Sequence, residues 1–247
     1  SRKKNAGKSR KLTKELCEKL WKEIRSNEPK KAGCDKCKNG YITVPKPEGQ
    51  LGFDYKICEC LIDIESLQYS ERLLSQSNLP KKYLDLDFSA WQEDEVSFEF
   101  IQSVLDKEKS PWIFLYGGAG TGKTYTSSLF AKIGLLKEMS VYFTPVVDLL
   151  NDLRPDGNEN IVKIKRLCRE SDILILDDIG HEKSSEWVRE QLYIIINNRW
   201  NSEKMTLFTS NFNIENLKTS VSPAVYSRVK GESVLIALSG EDRRNKK

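Results

Sequence analysis

Apolar and polar positions along this chain follow two rhythms. Leu12, Leu16, Leu20 and Ile24 recur every four residues with Cys17 and Trp21 beside them, which puts one apolar stripe on a helix over residues 12 to 25. That stripe either packs against a neighbouring part of the chain or docks a partner. Two short β-prone pieces follow, Tyr41 to Val44 and Phe53 to Ile57, with the turn-forming stretch Pro45 to Gly49 between them, so a hairpin is predicted. A second helix is predicted from Leu61 to Leu74, closed by Asn78-Leu-Pro80 because proline disfavours helical geometry in the residue before it.

Beyond Trp91 the pattern alternates. A helix over Val96 to Leu105 precedes a buried strand, Trp112 to Tyr116. Next come a helix after Lys123 and a strand at Val141 to Phe143. Two apolar strands, Ile173 to Leu176 and Thr206 to Thr209, flank a long helical stretch from Glu186 to Trp200. Continuous apolar strands alternating with helices predict an α/β fold, a parallel sheet covered on both faces.

With 247 residues and 38% hydrophobic content, the chain can bury one core of ordinary domain size and a small appended module. No apolar run approaches the roughly 20 residues needed to cross a bilayer, and the charged N-terminal stretch lacks the apolar segment of a signal peptide, so a cytoplasmic protein is expected. The net charge of +4 is unevenly spread: residues 1–31 hold twelve Lys/Arg against four Asp/Glu, leaving a mildly acidic body. Such a basic arm either attracts nucleic acid or an acidic protein face, or is a solvated tail.

Chemistry enters at Gly117-Gly-Ala-Gly-Thr-Gly-Lys-Thr124, a complete G-x-x-x-x-G-K-[ST] phosphate-binding loop between an apolar strand and a helix. Glycines let backbone N–H groups wrap a phosphate chain, and the following helix adds its positive end. Candidate ATP-binding residues are therefore Gly117, Gly118, Ala119, Gly120, Thr121, Gly122, Lys123, Thr124 and Tyr125. Lys123 is expected to reach the β- and γ-phosphates and Thr124 to ligate Mg²⁺. Asp177 and Asp178 close the strand Ile173 to Leu176, at the end where open parallel sheets bind ligands. Asp177 is expected to hold Mg²⁺ through water, and Asp178 to orient the attacking water. Asn211 ends the next apolar strand, where an amide can contact the γ-phosphate or that water.

Of six cysteines, four fall into two pairs, Cys34-x₂-Cys37 and Cys58-x-Cys60, 20 residues apart. A hairpin between them would bring both pairs around one tetrahedral ion, so Zn²⁺ is expected. Cys17 and Cys168 stand alone in helical patterns and read as core residues.

The P-loop together with Leu176-Asp-Asp-Ile-Gly180, Ser185-Glu-Trp-Val-Arg189, Thr209-Ser-Asn211, Tyr226-Ser-Arg-Val229 and Gly240-Glu-Asp-Arg-Arg244 resembles the bacterial DnaC/DnaI helicase-loader family from about residue 80 onward. The front of the chain resembles phage and mobile-element members that carry a cysteine finger followed by a segment like Asn78 to Tyr83. The resemblance implies an AAA+ ATPase without a full helical lid, Asn211 as sensor 1, and Arg228 as an arginine finger supplied to a neighbouring subunit's ATP. It implies self-assembly through the ATP site, a DnaB-type replicative helicase hexamer as partner, and single-stranded DNA as the track. Arg243 sits near where a second sensor arginine would be sought. The Asp-Asp pair, where Asp-Glu is usual, hints at slow turnover. An IstB-like ATPase that assists a transposase on duplex DNA shares much of this core, and the cysteine pairs favour the loader. The expected division is a basic arm and helix at 1–31, a zinc module at 32–62, a linker with a helix at 63–90, and the ATPase domain at 91–247.

Overall fold

The computed structural model describes residues 12–26, 34, 41–45, 53–57, 59–85, 88, 96–155, 159–182 and 185–240. Its elements, in chain order, begin with α1 (Lys14–Arg25), β1 (Tyr41–Pro45), β2 (Phe53–Ile57), α2 (Glu59–Gln76), α3 (Lys81–Leu84) and α4 (Phe98–Leu105). They continue with β3 (Trp112–Tyr116), α5 (Lys123–Leu136), β4 (Val141–Pro145), α6 (Val146–Asp152), α7 (Ile161–Glu170) and β5 (Ile173–Asp177). The last five are α8 (Glu186–Asn201), β6 (Met205–Ser210), α9 (Ile214–Ser220), α10 (Pro223–Glu232) and β7 (Ser233–Ala237).

Five strands form one parallel sheet in the order β4-β5-β6-β3-β7. Alternate residues serve opposite faces, as the strand period of two requires. Ile113, Leu115, Phe143, Ile173, Ile175 and Leu207 join one core with α1, α2, α4 and α5. Phe114, Tyr142, Leu174, Leu176 and Phe208 join the other, beneath α6 to α10. The result is a three-layer α/β/α sandwich, and its buried strands account for the unbroken apolar runs in the sequence.

Local signals set most boundaries. Ser97, Ser185 and Ser222 cap α4, α8 and α10 through side-chain oxygens that accept from Phe100, Val188 and Val225 amides, and Pro223 follows at a first-turn position that needs no N–H. β1 and β2 form the expected antiparallel hairpin, with Tyr41 opposite Ile57.

The N-terminal parts differ from expectation. The boundary expected at 62/63 falls inside α2, which is one helix from Glu59 to Gln76. The α1 stripe is a core face: Cys17, Leu20, Trp21 and Ile24 are buried in the same cluster as Leu129, Phe130 and Ile133 of α5. This burial removes Leu20 and Ile24 from any docking surface and leaves Leu16 partly buried at its margin. Polar contacts secure the packing. Trp21 Nε1 donates to the Leu84 carbonyl at 2.8 Å, Arg25 Nη1 donates to the same oxygen at 3.0 Å, and Glu18 accepts from the Phe88 amide at 2.9 Å. Lys132 of α5 is fully buried below, its ammonium 4.9 Å from the centre of the Trp21 ring and 3.3 Å from the Leu84 carbonyl. A buried ammonium requires such compensation from oxygen and π-faces. Enclosed by α1, α2 and α4, α5 is buried nearly all round, which explains why it shows little amphipathic pattern.

β7 adds a parallel edge strand beside β3, with Val234 and Leu235 partly open to solvent. Among the described residues no helix is long and apolar enough to cross a membrane.

Candidate functional site

The C-terminal ends of β3, β5 and β6 lie side by side, so the loops that follow them converge. The P-loop leaves β3 beside β6: the Gly117 amide donates to the Ser210 carbonyl at 3.3 Å. Glycine is required at 117 because a Cβ there would lie 2.2 Å from the Leu238 carbonyl oxygen, which belongs to the chain leaving β7. The loop curls back on its lysine. Lys123 Nζ donates to the Gly117 and Gly118 carbonyls at 2.9 and 2.6 Å, and Thr121 Oγ1 donates to the Gly118 carbonyl at 3.0 Å. Gly117 to Thr124 are thus one compact turn opening into α5, with Tyr125 in its first turn.

Across from this turn, Asp177 ends β5 with 8% of its surface exposed. Thr124 Oγ1 donates to its Oδ2 at 3.2 Å, and Thr209 Oγ1 donates to its Oδ1 at 2.7 Å. Burial raises the Asp177 pKa above the ordinary carboxylate value; the two threonine hydrogen bonds oppose this and the neighbouring Asp178 charge adds to it. A desolvated carboxylate facing a hydroxyl is an oxygen-only donor set, which suits Mg²⁺ and has a charge for the cation to compensate.

Asp178 turns the chain with a left-handed φ of 61°, an unusual conformation for a residue with a side chain. Its amide donates to Thr209 Oγ1 at 2.8 Å, so one hydroxyl fixes both acids. Asn211 Nδ2 donates to Asp178 Oδ1 at 3.2 Å, joining the two residues expected to handle water. The same Nδ2 lies 2.8 Å from Nε2 of His181. Thr209 and His181 join this candidate cluster without having been given a role from the sequence. Thr209 was legible only within the Thr209-Ser-Asn211 motif, and His181 only as the chain's single histidine.

Residues 55–247 match the family described as IstB-like ATP binding protein. The chain belongs to this family. Among curated relatives it is similar to the "Replicative helicase loader DnaI" of Bacillus subtilis, 29% identical over 122 residues that span 49% of the chain and 39% of the relative. It is also similar to the "Replicative helicase loader DnaC" of Buchnera aphidicola, 25% identical over 71% of the chain and 76% of the relative. A crystal structure of a DnaC helicase loader superposes with a TM-score of 0.57 at 24% identity, covering 65% of the chain and all of that structure, and shows that the fold is shared. This IstB-like protein is an ATP-binding ATPase with the AAA+ P-loop NTPase fold.

Not every expected residue of the IstB-like protein reaches this cluster. Arg228 lies on α10, with its guanidinium carbon 5.4 Å from the centre of the Tyr193 ring and 5.1 Å from that of Trp200, both on α8. It donates to the Ala224 carbonyl at 3.3 Å, and its Nε is buried without a hydrogen-bond partner. Its contacts are therefore to α8 and its own helix, not to the P-loop or the acids. Of the expected zinc ligands, Cys34 is exposed, Cys60 lies in the first turn of α2, and Cys37 and Cys58 fall outside the described residues, as does Arg243. Among the described residues no group of three or more His, Cys, Asp or Glu is arranged to hold a metal. Cys17 and Cys168 are core residues as expected: burial pushes both thiols up to about 12.

Proposed function

We propose that this protein is an ATP-driven loader that places a DnaB-type replicative helicase hexamer on single-stranded DNA. The observation that carries this reading is the convergence of a complete P-loop with Asp177, Asp178 and Asn211 in a chain whose curated relatives are named replicative helicase loaders. In this role Lys123 and the loop amides bind the phosphates, Thr124 and Asp177 hold Mg²⁺, Asp178 polarises the attacking water, and Asn211 orients it. Bound Mg²⁺ supplies charge neutralisation on the phosphates. Arg228, held outside its own chain's site, serves the ATP of a neighbouring copy. A basic strip supports contact with DNA: Lys163, Lys165, Arg166 and Arg169 are exposed on α7, although Arg166 and Arg169 share Glu170.

The cysteine pairs are proposed to bind one Zn²⁺ per chain. The hairpin supports this reading, because Tyr41, which closely follows Cys37 in the sequence, pairs with Ile57, which directly precedes Cys58. Elemental analysis that finds no zinc in protein purified without chelators removes this part.

The loader reading is tested by incubating the protein and ATP with the host's DnaB-type helicase and circular single-stranded DNA. The expected result is a stable complex with the helicase and ATP-dependent transfer of helicase to the circle. Absence of any helicase complex, with turnover stimulated by duplex rather than single-stranded DNA, would instead favour a transposase-assisting role.

A further inference from the structure

We infer that His181 is a positioning residue for ATP hydrolysis, which fixes the Asn211 carboxamide and, through it, the water-directing face of Asp178. The inference rests on the roles proposed above for Asp178 and Asn211.

Its basis is the local geometry. Asn211 Nδ2 stands between two acceptors, Asp178 Oδ1 at 3.2 Å and His181 Nε2 at 2.8 Å, and an amide nitrogen has two hydrogens to give. His181 Nε2 also lies 3.4 Å from Asp178 Oδ1, too long to compete with the contact to Asn211. Because an amide nitrogen only donates, the contact takes Nε2 as the acceptor, in the tautomer whose ring hydrogen is on Nδ1. In this tautomer both N–H groups are engaged, and turning the carboxamide over would set its oxygen against a carboxylate oxygen and an imidazole lone pair. Asn211 Oδ1 is left as the end that meets water or phosphate.

The ring itself is held. It lies against Phe212, with centroids 5.0 Å apart. Gly180, at a left-handed φ of 102°, leaves room for this stack, since a Cβ there would come within 3.2 Å of Phe212 Cδ2. The two turns that carry these residues are stitched together beneath the rings. The Ile179 amide donates to the Thr209 carbonyl at 2.8 Å, Ser210 Oγ donates to the Ile179 carbonyl at 2.7 Å, and the Phe212 amide donates to Ser210 Oγ at 3.1 Å. His181, although exposed, thus completes a chain of contacts from the turn after β5 to the turn after β6. A small displacement of a water-directing group is enough to slow chemistry without weakening binding.

The test uses the full chain with single-stranded DNA, measuring single-turnover ATP hydrolysis and the affinity for a fluorescent ATP analogue. His181→Ala is expected to slow hydrolysis about ten- to hundredfold, with nucleotide affinity unchanged. His181→Gln, whose side-chain oxygen can accept the same N–H, is expected to recover most of the rate. In an Asn211→Ala background, His181→Ala should add little further loss, because its effect passes through Asn211. Wild-type turnover in His181→Ala, a full additional loss in the double variant, or a loss of affinity that matches the loss of rate and is not rescued by glutamine would overturn the inference. Undiminished turnover in Asn211→Ala alone would be a different failure, bringing down the parent assignment of Asn211 and this inference with it.

Discussion

Asp177, proposed to hold Mg²⁺, stands where burial makes its charge costly to stability. Its folded-state pKa lies above the unfolded one because burial penalises the charge, so the ionised carboxylate lowers stability at neutral pH, and stability is regained as the pH falls through the folded value. Asp177→Asn is therefore expected to melt higher than wild type at neutral pH without nucleotide or Mg²⁺. The gain should be a few degrees, since about 1 kcal/mol moves a domain of this size by about 2–4 °C. The difference should shrink as wild type is acidified into the carboxylate range, while Mg²⁺-dependent hydrolysis by the variant is severely reduced at every pH. Thermal melts of both proteins from pH 4 to 8 check the sign, and a lower melting temperature for the variant at pH 7 would show that the threonine hydrogen bonds outweigh desolvation. Thr209 explains why the acid remains ordered, since its one hydroxyl donates to Asp177 and accepts from the Asp178 amide.

Among whole elements, α8 is fastened by a side chain that reads in the sequence as a surface charge. Arg199 is 0% exposed and donates to Thr206 Oγ1 at 2.9 Å and to the carbonyls of Cys168 at 3.0 Å, Ser171 at 2.8 Å and Met205. Burial pulls its pKa down to about 9, yet the planar guanidinium matches a fan of acceptors at the C-terminal end of α7 and the start of β6. The carboxylate of Asp172 adds compensating charge and is itself paired with Lys204 at 2.7 Å. Removing the guanidinium would orphan several buried carbonyls. Arg199→Met should cost at least about 3 kcal/mol in chemical denaturation with an unchanged m-value, and Arg199→Lys should fail to restore it, because an ammonium cannot span the same acceptors. A loss below 1 kcal/mol for the methionine variant would mean that water replaces the guanidinium. The same logic explains α1: its apolar stripe was legible from spacing, but only the burial of Trp21 and Ile24 over α5 decided between core and docking face.

For the whole molecule, the proposed ATP site draws the P-loop, both acids, Asn211 and His181 from one chain, while Arg228 is engaged with α8. If Arg228 completes the site of a neighbouring copy, Arg228→Ala and Asp178→Asn should each lose assembly-stimulated hydrolysis, by about a thousandfold for the arginine, with ATP affinity retained. Mixing the two variants should recover turnover, since a mixed interface can pair an intact Asp178 with an intact arginine. Turnover measured against mixing ratio gives the test. No recovery in mixtures shown to co-assemble would leave Arg228 as a prop for Tyr193 and Trp200.

The sequence by itself determined the features that local segments encode. The P-loop is eight contiguous residues whose chemistry is independent of their neighbours, the runs at 112–116, 173–176 and 206–209, alternating with helical stretches, read as buried strands of a parallel sheet, and the β1–β2 hairpin followed from its turn. Some missed elements had signals as well, such as Ser222-Pro223 opening α10 and the apolar run of β7. Tertiary structure alone decided what depends on partners distant in the chain. Parallel pairing of β5 with β6 carries Thr209 onto Asp177 and sets Asn211 against His181, and two layers of helices turn Arg199 and Lys132 inward where residue type alone suggests solvent. The physical reason is that hydrogen-bond partners and desolvation arise from neighbours across the sheet and between layers, which no periodicity along one segment records.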